Sequence, residues 1–197
     1  MTSFGCRHAP LAITADVERA LATAYGEPHR AYHTAAHIAE VLRWFDAIAD
    51  DVGWDDPAAV YLAVLFHDAV YDPLAKDNEA RSAVRARELA GACPRTCELI
   101  ELTAQHGRID RADHDAALFL DSDTAILGAS PDAFDAYDAA IAVEYKAVPE
   151  TVYRAGRRAF LETMLVKPRI FLTDYFHDRL DAAARSNLAR RLGTVSI

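Results

Sequence analysis

Ala58-Ala59-Val60-Tyr61-Leu62-Ala63-Val64-Leu65-Phe66-His67-Asp68-Ala69-Val70-Tyr71 is the stretch on which the reading of this chain turns. A continuous apolar run ends in a histidine and an aspartate, and apolar residues resume beyond them. Asp56-Pro57 supplies an N-cap and a first-turn proline, so the run reads as a helix. A helix apolar on every side belongs in a protein interior. A carboxylate buried there without a partner is costly, so Asp68 calls for a cation or several hydrogen-bond donors. A metal ion suits best, because His33 and His37 lie upstream on another expected helix.

The periodicity is helical almost throughout. Prolines follow Asp56, Cys93, Ser130 and Val148, and Gly53, Gly91, Gly107 and Gly128 stand where helices should stop. The spacing predicts helices over 14–25, 33–50, 57–71, 77–90, 94–106, 113–127, 131–146, 149–166 and 173–192. No segment alternates with β-branched enrichment, so no sheet is expected. The fold class is all-α, a compact single-domain bundle of eight or nine helices spanning 1–197.

A hydrophobic content of 52% with 26% charged residues is that of a folded globular chain rather than a disordered one. The net charge of −9 argues against general nucleic-acid binding and against an anionic membrane partner. Apolar stretches are too short for a membrane span and the start lacks a signal-peptide core, so a cytoplasmic location is expected. Cys6, Cys93 and Cys97 make an odd count without zinc-site spacing and read as ordinary reduced thiols.

His33 and His37 share one helical face. The step from His37 to His67 accommodates one helix, a loop and an antiparallel return, which would bring the two histidines together. A second apolar helix, Ala116-Ala117-Leu118-Phe119-Leu120-Asp121-Ser122-Asp123, carries embedded acids. Asp121 and Asp123 point in nearly opposite directions on a helix, so they should not share one ion. A histidine, a His-Asp doublet and a late buried aspartate are more specific together than any one alone. His177-Asp178 is the control: the same doublet, in an amphipathic C-terminal stretch without metal-like neighbours.

The order His37, His67-Asp68, Asp121 resembles the HD superfamily of metal-dependent phosphohydrolases, all-helical proteins named for the adjacent His and Asp. The resemblance extends to a small bacterial branch of predicted HD phosphohydrolases through Arg30-Ala31-Tyr32-His33, Phe66-His67-Asp68-Ala69-Val70-Tyr71 and Asp77-Asn78-Glu79. Leu102-Thr103-Ala104-Gln105-His106, Leu120-Asp121-Ser122-Asp123, Glu144-Tyr145 and Gly156-Arg157 continue it, so it covers roughly 17–192. The chain departs from that branch at Val143, where arginine is expected before Glu-Tyr.

The resemblance implies His37, His67, Asp68 and Asp121 as ligands of one or two divalent transition ions, manganese, iron, cobalt, nickel or zinc. It implies that a metal-activated water attacks phosphorus in a phosphoester or phosphoanhydride of a small soluble molecule, a nucleotide by family analogy. Asp68 is then catalytic, with Glu79 placing water or substrate. Arg30, His33 and Asn78 are candidate substrate contacts, Arg30 as a bidentate phosphate grip. His33 and His106 are candidates for a second metal or a phosphate. Glu144 and Arg157 are expected to pair between the late helices, and Lys76 to be solvated. Two other classes stay open: a non-catalytic module sensing a nucleotide or metal, and a di-iron oxygenase on the same scaffold. A homodimer is also compatible with the sequence.

Overall fold

The computed structural model describes residues 4–193, so the extreme ends of the domain expected over 1–197 lie outside the described residues. The helices are α1 Ala15–Tyr25, α2 Ala35–Asp51, α3 Pro57–Phe66, α4 Asn78–Ala90, α5 Pro94–Leu102, α6 His114–Thr124, α7 Pro131–Glu144, α8 Glu150–Val166 and α9 Asp174–Leu192. Short 3-10 turns, Thr103–Gln105 and Ala125–Gly128, extend α5 and α6. The fold is all-α as expected, with nine helices and no strand among the described residues.

Caps fix the starts. Asp56 accepts from the Ala59 N–H ahead of Pro57, and Ser130 accepts from the Ala133 N–H ahead of Pro131. Thr34 caps α2 through the Ala36 N–H, which sets His37 in the first turn. Gly91 closes α4 in the left-handed region at φ 61°, its N–H reaching the Ala86 and Arg87 carbonyls. Gly128 is glycine for another reason. A Cβ there would sit 2.8 Å from the Leu180 carbonyl oxygen, so α9 packs where a side chain would stand.

α3 is the hub, packing against α2, α4, α5 and α6. Phe45, Tyr61, Phe66 and Phe119 belong to the core around it. A second core gathers Leu118, Phe134, Leu161, Phe171, Phe176 and Leu188 from α6 to α9. α6 therefore divides the interior, with Phe119 on the α3 side and Leu118 on the α9 side.

The main departure from expectation is the end of α3, at Phe66 rather than residue 71. Tertiary partners replace the helical ladder there. The Val70 N–H bonds to Ser82 Oγ, and the Asp68 and Ala69 carbonyls accept from the Arg30 guanidinium. His67 becomes the C-cap, and the chain leaves the helix immediately after the His-Asp pair. No described helix is long and apolar enough to cross a membrane.

Candidate metal centre

The first turn of α2, the end of α3 and the last turn of α6 meet at one point. His37 Nε2 lies 3.2 Å from His67 Nε2 and 3.0 Å from Asp123 Oδ1, and His67 Nε2 lies 3.3 Å from the same oxygen. Asp68 Oδ2 stands 3.1 Å from His67 Nε2 and 3.6 Å from His37 Nε2. Donor atoms sharing an ion at about 2.1 Å lie about 3.0–3.4 Å apart in octahedral or tetrahedral geometry, the spacing of the first three atoms.

The residues present fit a metal in their orientation as well as their spacing. His67 Nδ1 lies 3.0 Å from the Val64 carbonyl, which can only accept, so Nδ1 carries a proton and Nε2 is the ring nitrogen turned toward His37 and Asp123. Burial opposes a second proton on His67. The carboxylates of Asp68 and Asp123 outweigh it and raise the imidazole's pKa well above its ordinary value. Burial likewise opposes ionisation of Asp123, yet His67, His106 and His37 hold its carboxyl well below the usual range. Two carboxylates at the buried His37–His67 pair make positive charge favourable at this point. A His/Asp donor set of intermediate softness suits manganese, iron, cobalt, nickel or zinc.

His106 Nε2 lies 2.7 Å from Asp123 Oδ2, the oxygen turned away from the two histidines. His33 reaches the rim from the loop before α2. Its Nδ1 lies 2.7 Å from Glu144 Oε2, leaving Nε2 for another partner. Glu144 is the hidden organiser: its Oε1 accepts from the Ala31, Tyr32 and His33 N–H groups at 2.8, 2.8 and 2.9 Å, and the Tyr71 hydroxyl donates to Oε2 at 2.9 Å. Burial works against its ionisation, but these donors and the His33 charge bring the carboxyl down to about 2. His37 and His67 are closed off, whereas the side chains of Asp68, His33 and His106 are 19–20% exposed and form the accessible edge.

The structure brings His37, His67, Asp68, His33 and His106 together and departs from expectation at five other points. Asp121, expected as the ligand carboxylate, faces α9. It accepts from the Leu172 N–H, the Thr173 N–H and the Thr173 hydroxyl at 2.8, 2.8 and 2.7 Å, while burial pushes its carboxyl up to about 6. Asp123 takes the place expected for it. Arg30 is no phosphate grip: its side chain is buried and bonded to Glu27, to the carbonyls of His33 and Asp68, and more loosely to that of Ala69.

Asn78, expected as a substrate contact, is engaged by its own loop. Its amide clips the 72–78 loop, bonding the Asp72 N–H at 3.0 Å and the Asp72 carbonyl at 2.9 Å. Glu79 stands in the first turn of α4, where its charge faces free helix N–H groups, and makes no hydrogen bond or ion pair with the centre. The expected Glu144–Arg157 pair does not form, because Arg157 binds Asp138 at 2.8 Å. Val143 is solvent-exposed, so a cation at that position would face water. His177, the control, sits on α9 beside Asp181 rather than at the centre.

Comparison of the chain with protein-family models, with curated proteins and with solved structures finds no match in any of the three.

Proposed function

We propose that this chain is a metal-dependent phosphohydrolase of the HD type, acting on a phosphoester or phosphoanhydride in a small soluble molecule. The observation that carries the reading is the convergence of His37 Nε2, His67 Nε2 and Asp123 Oδ1, with Asp68 at the accessible edge. His37, His67 and Asp123 would hold the ion, and Asp68 would complete its sphere or take the proton of the attacking water. A bound divalent ion supplies Lewis acidity and lowers the pKa of water near neutrality.

The chain's own groups supply the rest. His106 holds Asp123 Oδ2 and so fixes which oxygen faces the histidines. Burial opposes protonation of His33, but Asp68 and Glu144 raise its pKa, so Nε2 is suited to donate to a phosphoryl oxygen. His106 spends Nε2 on Asp123 Oδ2, and His33 alone keeps a free ring nitrogen at the rim, so the di-iron oxygenase, which needs further ligands, is the weaker alternative. A nucleotide is the first substrate class to test. A sensing module with the same ligands would bind that substrate without turnover.

The test is elemental analysis of the purified protein beside hydrolysis of nucleotides with added manganese, cobalt, nickel, iron or zinc. The expected result is near-stoichiometric metal and phosphate release, both lost in folded His67→Ala and Asp123→Asn. Metal retained by both folded variants would refute the ligand set, and tight nucleotide binding without product would support the sensing module instead.

A further inference from the structure

A cavity of about 580 Å³ lies among α7, α8 and α9, and no residue of the metal centre lines it. Its wall carries Lys146, Arg154, Arg157, Arg158 and Arg191, against Glu150 as the single carboxylate of the lining, in a chain of net charge −9. Cations concentrated against the prevailing charge create a local field that draws anions.

Arg157 is fixed in that wall. Its side chain is only 9% exposed, and its guanidinium stacks over the rings of Tyr137 and Phe160 at 4.8 and 5.3 Å. Nε donates to Asp138 at 2.8 Å and Nη1 to the Tyr137 hydroxyl at 3.0 Å. Asp138 also takes Arg191, so one carboxylate serves two guanidiniums and positive charge is left over. Two residues of this lining hold a polar atom without a hydrogen-bond partner, Arg157 Nη2 and the Tyr153 hydroxyl, and both atoms are closed to solvent just behind the wall. Folded proteins rarely leave such donors unmade, and an ordered water or a bound ion is a common missing partner. Arg154 and Arg158 pair only with Glu150 and Glu162 along the exposed face of α8, where they are free to turn toward an incoming anion.

We propose that this cavity binds a phosphorylated small molecule, for which the partly exposed Tyr153 ring turns outward so that phosphate oxygens accept from its hydroxyl and from Arg157 Nη2 while the other guanidiniums close around it. The volume suits a ligand of nucleotide size. The overall negative charge disfavours a nucleic-acid chain, which would meet repulsion beyond the cavity. The site stands apart from the metal centre and does not depend on the function proposed for that centre.

The experiment is calorimetric titration of inorganic pyrophosphate into the full chain with a chelator present, so that no metal-mediated site contributes. The expected result is saturable one-site binding, weakened about tenfold in Tyr153→Phe by loss of one charge-assisted hydrogen bond and unchanged in Asp123→Asn. Tyr153→Phe should unfold at the wild-type denaturant midpoint, because the hydroxyl bonds to nothing in the protein. Arg157→Lys, which keeps the charge and loses the planar fork, should weaken binding at least as much. If that variant fails to fold, Tyr153→Phe decides alone. No saturable binding to the wild type, unchanged affinity in Tyr153→Phe, or tighter binding of an oligonucleotide that displaces pyrophosphate would each overturn the proposal.

Discussion

Replacing Glu144 with glutamine tests the idea that one buried carboxylate orders the loop carrying His33. Five donors converge on it: three N–H groups and two side chains. A glutamine carbonyl can still accept from the Ala31, Tyr32 and His33 N–H groups. Its NH₂, however, meets the Tyr71 hydroxyl and His33 Nδ1 with a donor instead of an acceptor. Two charge-assisted hydrogen bonds at about 1.5 kcal/mol each give a loss of about 3 kcal/mol. The pKa gives the same magnitude: a carboxyl brought from 4.5 down to about 2 contributes about 3 kcal/mol when ionised.

The folded pKa of Glu144 lies below the unfolded one, so its contribution is present above pH 4.5 and fades as pH falls toward 2. Urea unfolding of both proteins across pH 2–7 is the assay. Glu144→Gln should be less stable by about 3 kcal/mol at pH 7, a melting point about 6–12 °C lower. The gap should close toward pH 2, where a protonated glutamic acid and glutamine are near isosteres. A gap under about 0.5 kcal/mol at pH 7, the scatter of an ordinary surface substitution, would refute the reasoning, as would a large gap that ignores pH.

Three further outcomes are expected. Arg30→Met leaves buried carbonyls of residues 33, 68 and 69 without their donor, and should cost about 3–5 kcal/mol in urea unfolding and reduce metal occupancy; unchanged stability would show that the guanidinium is dispensable. Asp121→Asn should keep the metal and lose about 1–3 kcal/mol at its junction with residues 172 and 173, separating it by elemental analysis from Asp123→Asn. Two glycine-to-alanine changes should have opposite signs in thermal unfolding. Gly128→Ala meets Leu180 and should lose about 1–3 kcal/mol, whereas Gly156→Ala meets nothing within 4 Å inside α8 and should gain about 0.5–1 kcal/mol.

The helices were legible because their starts are written locally. Asp56-Pro57 and Ser130-Pro131 are caps whose chemistry lies within four residues of the element they begin. The end of α3 was not legible, because Ser82 and Arg30, which replace its ladder, are brought in by other parts of the chain. His37, His67 and Asp68 could be read from spacing and from the misfit of charge in an apolar run. The choice between Asp121 and Asp123 could not, because a helix buried on all sides gives its own residues no phase. The packing supplies that phase: Phe119 faces α3 and carries Asp123 one turn later on the same side, while Leu118 faces α9 and carries Asp121. Glu144 was picked out only through the resemblance and was expected to pair with Arg157; its true role left no local signal, since three of its partners are main-chain N–H groups 111–113 residues away.

That distance along the chain has a kinetic meaning. The Glu144 bonds close the longest loop described for this centre, so the entropy of loop closure defers them until α7 has docked. Contacts of that kind belong to the late side of a folding barrier, and losing them speeds unfolding more than it slows folding. The same tether runs in reverse in the native state. Any opening that lifts α7 off the bundle releases Ala31, Tyr32 and His33 together, so the rim of the centre loosens as one unit while His37 and His67 stay held by their own helices.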